Sequence, residues 1–452
     1  LDVDDVGKRL GSASFRRDFG VDYAYYSGSM YRGIASRELV AAMGQAGLLG
    51  FLGAAGLSPD RITDDVAVLH RTLAARPFGV NVLCDLAEPA KEVAAVERLL
   101  ACGVRVVEAS AFVGVTPALA QFHLRGLRSG TDGRVLRETR IIGKVSRPEV
   151  AAEFLRPVPA PLVTALLAEG KVTAEQADLA RGIPVVQDLC VEADSGGHTD
   201  RGMPSVLLPA IQSLRRDLIR EHGYTEDIRI GLAGGIGTPQ AVAAAFAMGA
   251  DFVVTGSVNQ CTVEAGIGDA VKDRLQDINV QDTAYCPAGD MFEIGAMVQV
   301  LRKGVLFPAR ANRLFALYQA HDSWEDIPER TRRQIQQTYF KKEVDEVWRD
   351  TEDYLRRTGR RAELDRAKSS GKRRMALIFR WYYGYSSRLS FADAPGDIAN
   401  LQVHTGPALG AFNQWVRGTP LAGWRERHVD QIAIRLMREG AALLARSSRE
   451  LG

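Results

Sequence analysis

The chain is poor in cysteine: Cys84, Cys102, Cys190, Cys261 and Cys286 are odd in number, widely spaced and form no C-x-x-C pair. That excludes a disulfide framework and a zinc knuckle, and it makes a reducing cytosol the default compartment. The chain also lacks any uninterrupted apolar run of the ~18 to 20 residues that a transmembrane helix needs. Its start, LDVDDVGKRLGS, has no signal-peptide core. A soluble, cytoplasmic chain without a membrane partner is therefore expected. Net charge is nearly absent, because 57 Lys+Arg against 55 Asp+Glu give +2, so no global field draws nucleic acid. The patterns H-E-x-x-H, G-x-x-x-x-G-K-[ST] and G-x-S-x-G are missing, which argues against a metalloprotease, a P-loop hydrolase or a serine hydrolase, and no metal site is expected. A first residue of Leu1 rather than Met points to a chain trimmed or excised from a longer polypeptide.

What is present is an ordinary globular composition: 452 residues, 46% hydrophobic, with 44 Gly and 18 Pro. This length suits two or three units, or one large α/β barrel with an appendage. Eight short apolar or β-branched runs bounded by Gly, Pro or Asp read as strands: VDYAYYSG, LLGFLG, PFGVNVL, VRVVEAS, RIIGKVS, IPVVQDLCV, IRIGLAGGI and DFVVTGS. Helical patterns such as SRELVAAMGQAG and TPQAVAAAFAMGA lie between them. Eight alternations over roughly 240 residues predict an α/β fold, a (β/α)8 TIM barrel. An open doubly wound sheet is the alternative, but it would show G-x-G-x-x-G after its first strand, where this chain reads YYSGSMYRG. Two insertions are expected, a hairpin in RSGTDGRVLRETR and one or two helices in VPAPLVTALLAEGKVTAEQADLARG. From 321 to 380, 28 of 60 residues are charged, nearly twice the chain's 25%. The expected organisation is a barrel over 1–290, a charged mainly helical subdomain over 291–400, and a C-terminal segment over 401–452 packing back on the barrel.

Barrel chemistry gathers at the C-terminal ends of the strands. Two glycine clusters fall there: Ala233-Gly234-Gly235-Ile236-Gly237-Thr238 after the seventh strand and Thr255-Gly256-Ser257 at the eighth. Backbone N–H groups exposed by such turns converge on phosphate, and together the clusters predict a phosphate site. The sixth strand runs into Glu192-Ala193-Asp194-Ser195-Gly196-Gly197-His198. A histidine on a Gly-rich loop can orient a carbonyl or deliver a proton near neutral pH, and a surface histidine in a turn is the alternative that position alone does not separate.

The combination E-x-D-S-G-G-H, A-G-G-I-G-T and T-G-S resembles the FMN-dependent nitronate monooxygenase and enoyl reductase barrel superfamily. IIGKVSRPEVAAEF, WYYGYSSR and GPALGAFNQWVRGT extend the resemblance over nearly the whole chain, and shift it toward the PfaD-type trans-acting enoyl reductases of polyketide and polyunsaturated fatty acid synthases. The resemblance implies that Gly234, Gly235 and Gly237, with Gly256 and Ser257, hold the FMN phosphate, and it counts Thr255 among the cofactor-binding residues. It places Gly28, Ser29 and Met30 along the flavin ring, adds Ser195 and Gly196 to the cofactor-binding set, and gives Asn81, Lys144 and Gln187 hydrogen bonds to the isoalloxazine or ribityl chain. Lys144 is then a catalytic residue that stabilises negative charge on the ring; the alternative is a structural lysine pairing Glu108 or Asp188.

His198 matches the superfamily's active-site histidine. The implied reaction uses FMN and NADPH to reduce the α,β-double bond of an enoyl thioester carried by an acyl carrier protein, with His198 either supplying a proton or polarising the carbonyl. Asp200 would raise the His198 pKa if adjacent. The basic stretch Lys368 to Arg374 is a candidate landing place for an acidic carrier, with a solvated helix end as the other reading. A fused or associated acyltransferase and a homodimer are left open. A nitronate monooxygenase and a non-catalytic docking barrel are the competing readings. Cys190 is expected to be a small buried hydrophobe, Trp381-Tyr382-Tyr383 a core run, and His404 carries no assigned role.

Overall fold

The computed structural model describes residues 3–85, 88–392, 394 and 396–450, with side chains from 6 to 447, so Leu1 lies outside the described residues. The chain divides into two compact units. The first runs to Ser195 and adds Asp200–Gly266 and the segment from Ala411 onward; the second holds Gly196–Thr199 and Ile267–Gly410. The division therefore falls at Gly266 and Gly410 rather than at 290 and 400.

In the first unit, all eight expected strands form one closed parallel barrel: Tyr25–Ser27, Leu49–Leu52, Gly79–Leu83, Val106–Ser110, Arg140–Val145, Asp188–Glu192, Arg229–Ala233 and Val253–Thr255. The helices between them start where the sequence supplies a cap followed by proline. Ser58, Thr116 and Thr238 each accept a backbone N–H three residues on and precede Pro59, Pro117 and Pro239, which cost no hydrogen bond at the first helical position. The two insertions are present as a hairpin of Leu127–Ser129 with Val135–Arg137 and as helices Ala160–Ala168 and Ala174–Leu179.

Alternate residues along each strand fill the barrel. Tyr26, Phe51, Ile142, Cys190 and Phe252 form its apolar middle. The large rings fit because the strand beside each carries glycine: a Cβ on Gly79 would lie 2.1 Å from the Phe51 ring, and one on Gly231 would lie 2.1 Å from Phe252. Below them the N-terminal end is closed by charge. Arg229, fully buried, grips Asp188 with Nε at 2.6 Å and Nη2 at 2.7 Å. It also reaches Asp18 at 2.8 Å, on helix Ala13–Phe19, whose Phe15 and Phe19 rings flank the guanidinium. The C-terminal helix Val429–Glu450 packs on helix Pro239–Ala247, and Gly440 allows the approach, since a Cβ there would lie 2.8 Å from Val242.

The second unit is not purely helical. Thr283–Pro287, Met297–Leu301 and Gly197–His198 form a small antiparallel sheet. The helices Phe307–Ala320, Val344–Arg357 and Gly371–Arg388 accompany it, with a core of Phe292, Phe307, Phe340, Phe379, Tyr382 and Tyr383. The Tyr382-Tyr383 pair is thus core, and Trp381 packs against it. Among the described residues no single helix is long and apolar enough to cross a membrane; one bent pair, Pro148–Leu155 with Ala160–Ala168, passes that test by length and composition only.

Candidate functional site

Inward-facing positions at the C-terminal ends of the barrel strands bring polar groups together above the apolar middle. Glu108 on the fourth strand accepts from the Tyr26 hydroxyl at 3.1 Å, from the Ser29 backbone N–H at 3.3 Å and from the Ser29 hydroxyl. Asn81 on the third strand donates to the Glu108 carbonyl at 3.2 Å and to Ser110 Oγ at 3.0 Å. Lys144 on the fifth strand places Nζ 3.0 Å from Glu192 Oε1 on the sixth, and Ser195 Oγ donates to the same oxygen at 3.1 Å. Burial alone would lower the Lys144 ammonium, but the charges of Glu192 and Glu108 outweigh it and hold the group above the ordinary lysine value. The lysine stays cationic. Beneath it, burial pushes the Cys190 thiol up to about 12, which makes it an inert neutral packing group, as the sequence suggests.

The glycine clusters border this polar floor. Gly234 and Gly235 have φ of +88° and +76°. At Gly234 a Cβ would press to 2.7 Å from the Ala193 carbonyl, so glycine is required there. Gly235 and Gly256 instead face open space, with nothing within 4 Å of where a Cβ would stand. Gly237 precedes Thr238, which caps helix Pro239–Ala247, and Gly256 precedes the short helix that begins at Ser257. This is a cradle that fits the phosphate of FMN, with side-chain-free backbone on two adjacent strand ends and a helix N-terminus behind it. At Thr255 the side chain takes no part, because it is buried against the Tyr25 hydroxyl and Asn259, while its carbonyl accepts from Gly28 N at 2.9 Å. Gly28 lies beside Glu108, 3.8 Å from a carboxylate oxygen to its ideal Cβ, and the Met30 carbonyl fills the space that a side chain at Gly53 would need.

Gln187 does not join the set and is a correction. The sixth strand begins at Asp188, so Gln187 sits at the opposite, N-terminal end of the barrel, where its Oε1 accepts from Arg140 at 2.7 Å. Asp188 is bound there too, by Arg229, so the Lys144 partner is Glu192 rather than Asp188. Glu192 carried a signal, since it opens E-x-D-S-G-G-H; Tyr26 carried none beyond its place in an apolar strand.

Gly196 and His198 lie in the second unit. Gly196 packs on the backbone of Thr405 and Gly406, 2.6 Å and 2.8 Å from its ideal Cβ. His198 pairs with Val298 in the small sheet, and its Nε2 is 2.9 Å from Asp290 Oδ1. Asp290, not Asp200, is its carboxylate. Asp200 is held by Arg147 at 3.0 Å and Ser146 at 2.6 Å, and Arg147 keeps it below the usual carboxylate range. His404, unassigned from sequence, stands beside this pair: its Nδ1 lies 3.7 Å from the ideal Cβ of Gly197, and burial pushes it down to about 4. The Lys368–Arg374 stretch is mostly engaged. Lys372 bonds the His321 carbonyl at 2.6 Å and covers the Tyr318 ring, Lys368 is 3.5 Å from Glu352, and Arg374 lies over Trp348.

Comparison with known proteins agrees with this architecture. Residues 21–290 match the family model described as nitronate monooxygenase, and residues 321–400 match that of the inserted helical domain of [acyl-carrier-protein] S-malonyltransferase. The chain is 50% identical over 440 residues to the polyketide biosynthesis protein ThaF of Burkholderia thailandensis and 47% identical over 440 residues to the polyketide biosynthesis protein PksE of Bacillus subtilis. These alignments cover 97% of this chain but 37% and 57% of those proteins, so the chain spans about half the length, or less, of the two relatives. The crystal structure of the enoyl reductase domain of MlnA, from the macrolactin biosynthesis cluster of Bacillus amyloliquefaciens, superposes with a TM-score of 0.94 at 42% identity, covering 98% of this chain and 99% of that one. With its eight-stranded barrel and a family match over more than half its length, the chain belongs to the nitronate monooxygenase family.

Proposed function

We propose that the chain is an FMN-dependent enoyl reductase that uses NADPH to saturate the α,β-double bond of a thioester carried by an acyl carrier protein, in polyketide or polyunsaturated fatty acid synthesis in the cytoplasm. The observation that carries this reading is the juxtaposition, at one end of the barrel, of the open glycine cradle and the partly buried Lys144–Glu192 pair. Likeness over the whole chain to an enoyl reductase domain supports it. The longer relatives and the helical match at 321–400 support a carrier protein as partner and an acyltransferase as neighbour, fused or associated.

FMN, when bound, supplies the hydride relay from NADPH to the β-carbon of the enoyl thioester. Gly234, Gly235, Gly237, Gly256 and Ser257 would hold its phosphate by backbone, and at Gly235 and Gly256 nothing stands within 4 Å of where a side chain would begin. Lys144 would present a positive charge to the ring, and the charges of Glu192 and Glu108 keep the ammonium protonated in its partly buried place. Asn81 and the Gly28–Ser29 segment would border the ring edge, held in place by their own bonds to Ser110, Glu108 and Thr255. His198 holds the proton destined for the α-carbon. Mass analysis of a crotonyl carrier protein after incubation with the chain, FMN and NADPH tests the reading: a gain of two hydrogens supports it, while an unchanged acyl group with consumption of nitronate and oxygen assigns the monooxygenase activity instead.

A further inference from the structure

Asp290, 92 positions away in the chain, has no part in the reading above although it bonds His198. We infer that Asp290 is the positioning residue for His198: its carboxylate accepts the Nε2 proton, fixes the ring's orientation and stabilises the protonated imidazole from which a proton is delivered. The inference rests on the proposed reductase role of His198.

The two side chains keep 46% and 61% of their surface exposed, but the backbone that carries each is anchored. The segment that carries Asp290 is clamped on both sides. Gly289 lies against Tyr383, where a Cβ would come within 2.6 Å of the side chain, and Phe292 is fully buried against Phe379 and Tyr383. The histidine's own backbone is tied by strand pairing to Val298. Both ends of the 2.9 Å bond therefore stand on the core of one unit.

The charges around the ring agree. Asp290 from the 288–291 turn and His404 from the 403–406 segment face it, and the paired strand contributes uncharged Val298 and Gln299. Burial would raise the Asp290 carboxyl, but the hydrogen bond and charge of His198 hold it below the usual range, so it is ionised at neutral pH. His404 is neutral at the same pH and accepts from Gln402 Nε2 at 2.8 Å, so it sets no second positive charge against His198. Asp200, the carboxylate nearest in sequence, is committed to Arg147. An ionised carboxylate at hydrogen-bond distance favours the imidazolium, and without it the ring should lose its proton at lower pH.

The test is a 15N NMR titration of His198 in the full FMN-loaded chain, assigned with His198→Gln, for wild type, Asp290→Asn and Asp290→Glu. Asp290→Asn should lower the His198 midpoint by about half a pH unit, as suits a solvent-screened pair, and Asp290→Glu should recover most of that shift. In enoyl-thioester reduction the alkaline limb of the pH profile should move down with it, with kcat falling about tenfold or more and KM little changed. A His198 midpoint that is the same in Asp290→Asn as in wild type overturns the inference. Wild-type reduction by His198→Gln instead overturns the reductase role of His198, and does so without touching the titration result.

Discussion

Lys144 of the fifth barrel strand and Glu192 of the sixth meet at 3.0 Å, with side-chain exposures of only 17% and 23%. The carboxylate is what keeps the lysine cationic in that place. Glu108 adds a second negative field and is itself satisfied by Tyr26 and Ser29, so the ammonium has balanced surroundings before any cofactor arrives. The pair is the polar counterpart of the glycine cradle at the same end of the barrel.

Breaking this pair should be costly. Lys144→Met leaves the partly buried Glu192 without its counter-charge and should destabilise the chain by about 1–2 kcal/mol in urea unfolding. Lys144→Met combined with Glu192→Leu should cost less than Lys144→Met alone, because the stranded charge is then gone. Equal or greater loss in the double variant would show that the two residues do not act as a pair.

At the other end of the barrel, Asp18 gives a pH-dependent contribution whose sign is fixed. Burial would raise its carboxyl, but the hydrogen bond and charge of Arg229 hold it below the ordinary value of about 3.9. A depressed carboxylate stabilises above its unfolded pKa and loses that contribution as pH falls through the folded one. Asp18→Asn should therefore unfold at lower urea than wild type at pH 6, and the gap should close as the pH is lowered below about 4. A gap unchanged down to pH 3 would contradict the assignment.

The two glycines of the cradle should separate fold from cofactor binding. Gly234→Ala combines positive φ with a clash on the Ala193 carbonyl and should lose both stability and FMN. Gly235→Ala bears only the left-handed strain, roughly 1–2 kcal/mol, but puts a methyl into the open space. Its FMN dissociation constant, read by flavin fluorescence, should rise about tenfold or more while the fold persists. Wild-type FMN affinity in Gly235→Ala would remove the cradle from the account.

Cysteine reactivity follows burial. With its thiol raised to about 12, Cys190 should remain unmodified by iodoacetamide at pH 8, while the partly exposed Cys84 and Cys102 react. Mass mapping of the labelled peptides checks this, and rapid Cys190 labelling in the folded chain would show a thiolate that the barrel interior does not explain.

What could be read from sequence was whatever depends on local pattern. The eight strands stood out because each is a short apolar run stopped by Gly, Pro or Asp, and their number with intervening helices was enough for a closed barrel. Gln187 was misplaced for a related reason: the run Ile183–Val191 is longer than its strand, and only its second half is paired, so a residue read near the strand's end lies before its beginning. The small sheet of the second unit was invisible, because a two-residue strand at Gly197–His198 and a Pro-ended strand at Thr283–Pro287 carry no periodicity. Asp290 was hidden with it, since its partner is brought near only by that non-local pairing, whereas Asp200, two residues from His198, turns instead to Arg147.

Flavin-mediated reduction of an enoyl thioester is read directly from the visible absorption spectrum of the FMN-loaded chain without oxygen. NADPH should bleach the flavin bands, and a crotonyl thioester of a carrier protein or of pantetheine should restore them. If NADPH bleaches the bands and only oxygen or a nitronate restores them, the reductase account is contradicted; if no flavin binds, so is the cradle on which it stands.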